Sequence, residues 1–578
     1  MIRLRGWFSS RLESPLLLAA IAVVEYATPG GTAARLVVVG LAGVLTAGFV
    51  AQSVRHIRLA ARVRAVVRTR LFELLLTLAA LILLASKVAV WARELGDPAT
   101  REVLDPAYHQ YAAAFILVAG LRMVAGNLSV RRILHRLELR PAQTVALGFA
   151  GGALAGTLLL SLPLSVSRLE ALSLLDALFT ATSAVTVTGL IVYDPGTFHT
   201  SFGQGVLLAL LQLGGLGTMA ASASLVVLAG RRLRLQRAAA LQESMDIQTL
   251  GHVRGVLKAI IGMTVVAEAA GWAALYLLWR GRPGIADPAF AALFHAVSAF
   301  CNAGFSIFPT GLVPFREDLG TNVVVAILIV FGGLGFPVLL SLGRLPREAW
   351  RRRQVPLLTL HARLVLLTTG VLLAGGTLAV AALEWRGALA PLGWPWRPLA
   401  AGFLSVTART AGFNTVETAA LAPVTLFVLM ILMFVGGSPG GTTGGIKTTT
   451  AATVVATLWA IVRGRPRVEA FRRTIPEEQV TKALALAGIA LMTVLTVALA
   501  LLATQEGDPL ALTFEAVSAF GTVGLSAGAT PALNGWGKAV IMAAMFVGRV
   551  GPLTLGFALA ARAARGRVAY PAEKSMIG

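Results

Sequence analysis

Short stretches of small residues that end in glycine give this chain its clearest chemical signal. The plainest is Gly521-Thr-Val-Gly524, which follows a short apolar helical pattern ending at Phe520. Glycine permits backbone geometry that other residues avoid, and a ring of backbone carbonyls can replace the hydration shell of a cation. The stretch therefore predicts a cation filter in which carbonyl oxygens, rather than charged side chains, bind the ion.

Similar stretches occur three times upstream, and their last glycines, Gly189, Gly304 and Gly412, recur roughly every 110 residues. An extended backbone does not face lipid, so such segments have to line a shared, wet axis. We predict a fourfold internal repeat around a central pore, and we refer to 186–190, 301–305, 409–413 and 521–525 as the predicted filter segments. Their predicted ion-binding backbone comprises Thr186, Val187, Thr188, Gly189, Cys301, Asn302, Ala303, Gly304, Arg409, Thr410, Ala411, Gly412, Gly521, Thr522, Val523 and Gly524.

The short helices before these segments support the same interpretation. Each directs its carboxyl end, which carries partial negative charge, toward the axis and so favours a cation. Three repeats have Phe ten residues and Ser six residues before the glycine, whereas the third has Gly402 and Val406 there. The register of the third segment is therefore the least well defined. Tight helix packing also uses small residues, but four periodic copies favour the filter.

The second helix of each repeat carries a glycine-rich mark that begins 24 to 28 residues after the filter glycine. The four marks are residues 214–217, 332–335, 436–439 and 548–551. Arg549 occupies the position that glycine holds in the other three marks. A guanidinium within the membrane costs about 2.5–3.5 kcal/mol and faces an aqueous interior or a partner. Arg549 is predicted to form an electrostatic barrier beside the filter; the alternative is a salt bridge that only joins helices. Glu268 is a second charge at membrane depth, and the sequence does not identify its partner.

The third mark continues into a run too rich in glycine and proline for an ordinary helix. We call residues 436–447 the glycine loop and predict a flexible gate within the membrane. It fails the GxxxxGK[ST] phosphate-binding pattern because it contains no Gly-Lys pair. The predicted gate residues are Gly436, Gly437, Ser438, Pro439, Gly440, Gly441, Gly444, Gly445 and Lys447.

Composition indicates an all-α polytopic membrane protein. The chain has 578 residues, of which 56% are hydrophobic and 13% charged, and its mean hydropathy is +0.78. The net charge of +23 comes from arginines in short loops between apolar runs, which is typical of positive-inside topology rather than of nucleic-acid binding. The single cysteine, Cys301, excludes an intrachain disulfide and a cysteine metal cluster.

Residues 1–140 contain four apolar runs, near 15–29, 33–53, 71–92 and 111–130, and are predicted to form four extra transmembrane helices. The first run is expected to stay uncleaved. Arginines at helix ends raise the alternative of a voltage sensor. A sensor helix needs a basic residue at about every third position, and Ala125 and Leu128 follow Arg122. A packing or assembly module is therefore preferred.

Eight further spans are predicted. Each of the four repeats has two of them. The first helices of the repeats lie near 143–165, 256–279, 361–384 and 480–503, and the second helices lie near 205–229, 321–342, 423–461 and 537–560. Basic loops after the second helices all fall on one side, so twelve spans with both termini in the cytoplasm are expected. Arginines on the predicted outer side are exceptions, at Arg280, Arg282, Arg386 and Arg397. The predicted domains are the N-terminal four-helix membrane module at 1–140 and the four pore repeats at 141–255, 256–360, 361–479 and 480–578.

These motifs together resemble the Trk/Ktr/HKT superfamily of potassium transporters, most closely the KtrB or TrkH type of membrane subunit. The resemblance covers about residues 141–570 and rests on motifs that include Arg-Thr-Ala-Gly412-Phe, Gly-Thr-Val-Gly524-Leu and Gly-Arg549-Val-Gly-Pro. It implies a channel-like potassium uptake subunit of a bacterial-type inner membrane, with K⁺ at the filter and no cofactor bound by this chain. It also implies a homodimer gated by a cytosolic ring of nucleotide-binding subunits (ATP/ADP or NAD). Arg549 and the glycine loop would form the intracellular gate.

Three rival functions remain open at this point. The ion-conducting subunit of a potassium-pumping ATPase resembles this fold but needs pump subunits. A secondary solute transporter with broken helices often has inverted repeats, whereas these four units share one order of motifs. A non-conducting sensory or scaffold protein rests only on residues 1–140. The chain is predicted not to be an enzyme.

Overall fold

The structure, a computed structural model, describes residues 32–58, a few positions between 77 and 88, and residues 141–167, 173–232, 253–343 and 358–551. In these residues the chain is mostly helical. Helix α1 (Thr32–Arg58) covers the predicted apolar run at 33–53. Outside the described residues lie the runs at 15–29 and 111–130, most of 71–92, both termini and most of the basic loops.

The other described elements include fifteen α-helices and one two-stranded hairpin. The hairpin consists of β1 (Glu469–Ala470) and β2 (Arg473–Thr474). The helices are α2 (Pro141–Leu160), α3 (Leu174–Val185), α4 (Pro195–Phe198), α5 (Ser201–Arg232), α6 (Val253–Trp279), α7 (Pro288–Phe300), α8 (Leu319–Leu334), α9 (Phe336–Gly343), α10 (Leu360–Glu384), α11 (Trp396–Thr407), α12 (Pro423–Phe434), α13 (Thr448–Val462), α14 (Glu477–Thr504), α15 (Pro509–Gly521) and α16 (Gly535–Val550).

Five helices in the described part of the chain are long and apolar enough to cross a membrane, and the bent pair α8–α9 would make a sixth. Four of them, α2, α6, α10 and α14, match the four predicted first helices. Helix α2 ends five residues earlier than predicted, at Leu160. Pro163 follows it and begins a short 3₁₀ turn, because proline cannot continue the helical hydrogen bonding.

Four short helices, α3, α7, α11 and α15, lie between the longer ones. They contain 12 or 13 residues, too few to cross a bilayer. Three start at side-chain caps: Ser173 accepts one backbone N–H, and Asp287 and Asp508 each accept two just before a proline. Helix α11 follows Pro395, which provides no such cap. All four short helices were predicted.

The predicted continuous helix over 321–342 is wrong. The chain bends by 103° between α8 and α9, at Gly335, which has φ +81°. A side chain there would collide with the backbone of Pro439 and Gly440 in the glycine loop. Glycine after the last helical residue and proline two positions later, Pro337, are a helix-termination signal in the sequence. The second helix of the third repeat was predicted to break, and this prediction is confirmed, since α12 ends at Phe434 and α13 starts at Thr448.

Two arginines that conflicted with the positive-inside pattern have local partners. Arg282 forms an ion pair with Asp318 at 2.6 Å. Arg397 donates to the carbonyls of Trp385, Ala390 and Leu392 at 2.9–3.0 Å. These contacts give each side chain a structural role that is independent of membrane orientation.

Candidate ion site and gate

The four predicted filter segments share one pattern of positive φ angles. Two residues before each key glycine, a non-glycine residue has a positive φ, and the glycine also has one. The φ pairs are +57° and +95° for Val187 and Gly189, +58° and +69° for Asn302 and Gly304, +70° and +74° for Thr410 and Gly412, and +50° and +90° for Thr522 and Gly524. The third segment therefore has the same register as the others, although its sequence left that register least defined.

The four key glycines meet in a closed ring. A Cβ added to Gly189 would lie 3.2 Å from the Cα of Gly304, and one on Gly304 would lie 2.7 Å from the Cα of Gly412. The same construction places Gly412 against Gly524 at 3.2 Å and Gly524 against Gly189 at 3.0 Å. Each glycine thus contacts the next segment, and no side chain fits between them.

Backbone carbonyls border this ring without hydrogen-bond donors. The oxygens beside the glycines belong to Thr188, Ala303, Ala411 and Val523, all of which are buried. No residue that the structure describes donates a hydrogen bond to these oxygens or to the carbonyls of the four glycines. A buried carbonyl normally has a donor, so this arrangement leaves coordination capacity for a cation.

The serine six residues before the glycine fixes three of the segments. Ser183 and Ser518 accept the backbone N–H of Gly189 and Gly524, both at 3.1 Å. Ser298 donates to the carbonyl of Phe305 at 2.8 Å. The recurring serine of the sequence pattern is therefore a support for the backbone, and the third segment, with Val406 in that place, lacks it.

Two buried polar residues that sequence reasoning missed support the chain after the glycines. Glu515 and His295 each lie nine residues before a key glycine. The carboxylate of Glu515 accepts from the hydroxyls of Ser526 at 2.5 Å and Thr530 at 2.7 Å. A nitrogen of His295 lies 2.9 Å from the hydroxyl of Ser306. An ionisable residue within an apolar short helix was the available signal.

The glycine loop docks on the broken end of α8. The last carbonyls of a helix lack intrahelical partners. The backbone N–H of Ser438 donates to Gly333 at 2.9 Å, and that of Thr442 donates to Gly332 at 3.1 Å. The break in α8 thereby supplies the acceptors that hold the loop. Lys447 donates within the loop, to the carbonyl of Thr443 at 2.5 Å.

The first glycine of each mark lies against a predicted filter segment or the helix before it. A Cβ on Gly214, Gly332 or Gly548 would collide with the carbonyl of the residue four positions before the key glycine. In the third unit, a Cβ on Gly436 would lie 3.3 Å from the Thr410 side chain. The marks and the glycine loop therefore lie immediately next to the four segments.

Arg549 is 6% exposed and joins the loop to α5. Its guanidinium donates to the carbonyl of Thr442 and, at 2.9 Å, to that of Gly214. A further contact reaches the hydroxyl of Thr218 at 3.3 Å. No carboxylate in the described ranges forms an ion pair with Arg549, so the alternative of a helix-joining salt bridge finds no support. The structure brings the predicted barrier and the predicted gate into direct contact.

Arg409 and Glu268 are two further charged residues near the segments. The side chain of Arg409, 8% exposed, turns to the glycine loop and donates to Gly436 at 3.3 Å. Glu268 has its partner in Gln212, whose amide donates to the carboxylate at 3.1 Å; the Cys301 sulfur lies 3.9 Å from its other oxygen. This pair joins α5 and α6 behind the second segment.

The chain is similar in sequence and in fold to known proteins. A family model described as TrkH, a cation transport protein, matches residues 153–564. The chain is 38% identical over 449 residues to the Ktr system potassium uptake protein B of Bacillus subtilis (strain 168), covering 77% of this chain and 98% of that protein. It is 36% identical over 451 residues to the potassium/sodium uptake protein NtpJ of Enterococcus hirae, with the same two coverages. The crystal structure of the potassium transporter TrkH from Vibrio parahaemolyticus matches with a TM-score of 0.59 at 19% identity, covering 85% of this chain and 98% of that one.

Proposed function

The chain belongs to the TrkH family of cation transport proteins, and we propose that it is the potassium-conducting membrane subunit of a Ktr-type uptake system. Its relatives are named as potassium uptake proteins and the family model as a cation transport protein, which confirms the prediction that the chain is not an enzyme. Relatives named as Ktr potassium uptake proteins support K⁺ as the transported ion.

The observation that carries the proposal is the closed ring of Gly189, Gly304, Gly412 and Gly524, whose bordering carbonyls have no hydrogen-bond donor in the described part of the chain. Leaving a buried polar group unpaired costs about 1–3 kcal/mol, so a ring of such carbonyls is stabilised by a cation. The short helices add the partial negative charge of their carboxyl ends. We assign the carbonyls of 186–189, 301–304, 409–412 and 521–524 to K⁺ coordination.

The proposal extends to the architecture. Residues 141–255, 256–360, 361–479 and 480–578 form four helix–pore-loop–helix repeats around this axis, preceded by a membrane module at 1–140. Twelve spans place both termini in the cytoplasm of a bacterial-type cell. The order of long and short helices and the common φ pattern of the four segments support the repeats.

We further propose that the glycine loop and Arg549 form the gate and that separate subunits operate it. The direct contact of Arg549 with Thr442, next to the filter segments, supports one barrier made of both parts. Relatives named as members of a Ktr system support a partner subunit. That partner would be a cytosolic ring that binds ATP/ADP or NAD, acting on a homodimer of this chain.

Tracer flux tests the function against its rivals. The purified protein, reconstituted alone in vesicles loaded with potassium, is expected to take up ⁸⁶Rb⁺ without ATP. Uptake of ⁸⁶Rb⁺ that occurs only when ATP is added would indicate the subunit of a pump. Vesicles that remain tight to ⁸⁶Rb⁺ both alone and with the cognate cytosolic subunit would exclude a conducting role.

A further inference from the structure

Thr442 touches both the gate and the filter. Its carbonyl accepts the guanidinium of Arg549, and its backbone N–H donates to Gly332 on α8. Its hydroxyl lies 2.8 Å from Oδ1 of Asn302 and 3.2 Å from the carbonyl of Phe300. A hydroxyl has one proton to donate, and the shorter contact is the one to Asn302.

Asn302 is the filter residue that this hydroxyl holds. Its other amide atom, Nδ2, donates to the carbonyl of Ile329 at 3.3 Å, which leaves Oδ1 facing Thr442. The side chain is therefore held from two sides, by α8 and by the glycine loop. Asn302 has φ +58°, and the carbonyls of the next two residues, Ala303 and Gly304, border the ring.

The other three filter segments have no equivalent bond. The residue with positive φ in the first segment, Val187, cannot form one. The hydroxyls of Thr410 and Thr522 are buried and have no hydrogen-bond partner among the described residues. The loop contacts Thr522 only by packing, because a Cβ on Gly444 would collide with its side chain. The second segment alone, within the described chain, is joined to the loop through its positive-φ side chain.

We propose that Thr442 is a specificity-determining residue, although it lies outside the filter. The docked glycine loop, through the Thr442 hydroxyl, fixes Asn302 and so keeps the carbonyls of Ala303 and Gly304 at the spacing that distinguishes K⁺ from Na⁺. The inference rests on the proposed function. Its consequence is that the loop does two things: it obstructs the pathway and it shapes the ion site.

Ion binding to the purified protein tests this separately from gating. Titration calorimetry with Rb⁺ and with Na⁺ gives the ratio of their dissociation constants without any need for an open pathway. Thr442→Val is expected to reduce the preference for Rb⁺ about fivefold, equivalent to the loss of roughly 1 kcal/mol for one hydrogen bond. Thr442→Ser retains the hydroxyl and should keep the wild-type ratio.

One control matches the chemistry of the change. Thr425→Val removes a buried hydroxyl on α12 that has no hydrogen-bond partner among the described residues. It should keep the wild-type ratio. All variants are compared as monodisperse protein, and Thr442→Ala replaces Thr442→Val if valine prevents folding.

The outcomes separate the two proposals. A wild-type protein that binds neither ion would contradict the proposed function itself. A wild type that prefers Rb⁺, together with the same preference in Thr442→Val or Thr442→Ala, would overturn only the role of Thr442. An equal loss in Thr442→Ser and in Thr442→Val would also overturn it, because the hydroxyl would then be irrelevant.

Discussion

At the scale of the residue, the site depends on backbone conformations that side chains oppose. Val187, a β-branched residue, has φ +57°, and left-handed backbone costs such a residue roughly 1–2 kcal/mol. Complete burial and the neighbouring segments hold it there. Strain of this kind persists only where the surrounding structure over-determines it, which is a property of pre-organised sites.

Gly304→Ser tests the ring at one member. The new Cβ would lie 2.7 Å from the carbonyl oxygen of Ala411 and from the Cα of Gly412, at a φ of +69°. The substituted segment has to shift, so potassium flux should fall at least tenfold or lose its discrimination against sodium. ⁸⁶Rb⁺ uptake with competing Na⁺ measures both effects.

Gly281→Ser is the matched control for that change. Gly281 has φ +78° and nothing within 4 Å of an added Cβ, so it has similar backbone strain without the collision. Its flux should remain that of the wild type. Equal, small effects of both substitutions would show that Gly304 is not part of the ion site.

The sequence could predict part of this site. Periodic glycines and the small residues around them predicted which four segments converge, because carbonyl coordination needs glycine geometry. The positive φ of Asn302 or Thr410 could not be predicted, since it results from packing between distant segments. The supports from Glu515 and His295 were missed for a similar reason: their partners, Ser526 and Ser306, lie in irregular chain that no periodicity identifies.

At the scale of the element, the break in α8 and the glycine loop form one unit. Helix α8 ends at Leu334, and its free carbonyls at Gly332 and Gly333 receive the loop. Composition predicted the irregular loop but not its docking site. That site exists only because α8 breaks at Gly335, whereas the apolar pattern of the sequence predicts a continuous span there.

Arg549→Ala should raise the flux of the protein with its partner in the non-permissive state. Two unit charges about 8 Å apart interact by roughly 2 kcal/mol at an effective dielectric of 20, so removing the guanidinium should raise flux by about tenfold or more. Deletion of residues 440–445 should also raise it. Because Arg549 holds the Thr442 carbonyl, the two changes should combine less than additively.

Flux through reconstituted vesicles compares the singles and the double variant. Arg397→Ala is the control, since the Arg397 guanidinium also donates to backbone carbonyls, and its three acceptors all lie outside the filter segments. It should not raise flux. Fully additive effects would indicate two separate barriers, and unchanged flux in both single variants would place the gate elsewhere.

At the scale of the whole molecule, the ring of segments is closed between the first and fourth units. Lys538 on α16 forms an ion pair with Asp176 on α3 at 2.5 Å, and both side chains are mostly buried. Ser173 also donates to Asp176, at 2.7 Å. The pair joins elements that are more than 350 residues apart in sequence. Charge patterns along the chain did not indicate this contact.

Lys538→Met should destabilise the protein strongly. It leaves the buried carboxylate of Asp176 without its cation, and removing one partner of a buried pair costs about 3–5 kcal/mol. Lys482→Met is the control: its pair with Glu478 is exposed, and such pairs contribute less than about 1 kcal/mol. The temperature at which half of the monodisperse protein is lost should fall clearly for Lys538→Met only. Equal temperatures for the two variants would contradict a joining role for Lys538.

We propose, above all, that the four filter segments form one potassium site on a common axis. Crystals of the protein grown in rubidium allow its direct measurement by anomalous diffraction. We expect an anomalous peak inside the ring of Gly189, Gly304, Gly412 and Gly524, and we expect it to disappear when sodium replaces rubidium. A ring without such a peak, in crystals where rubidium binds elsewhere along the chain, would contradict it.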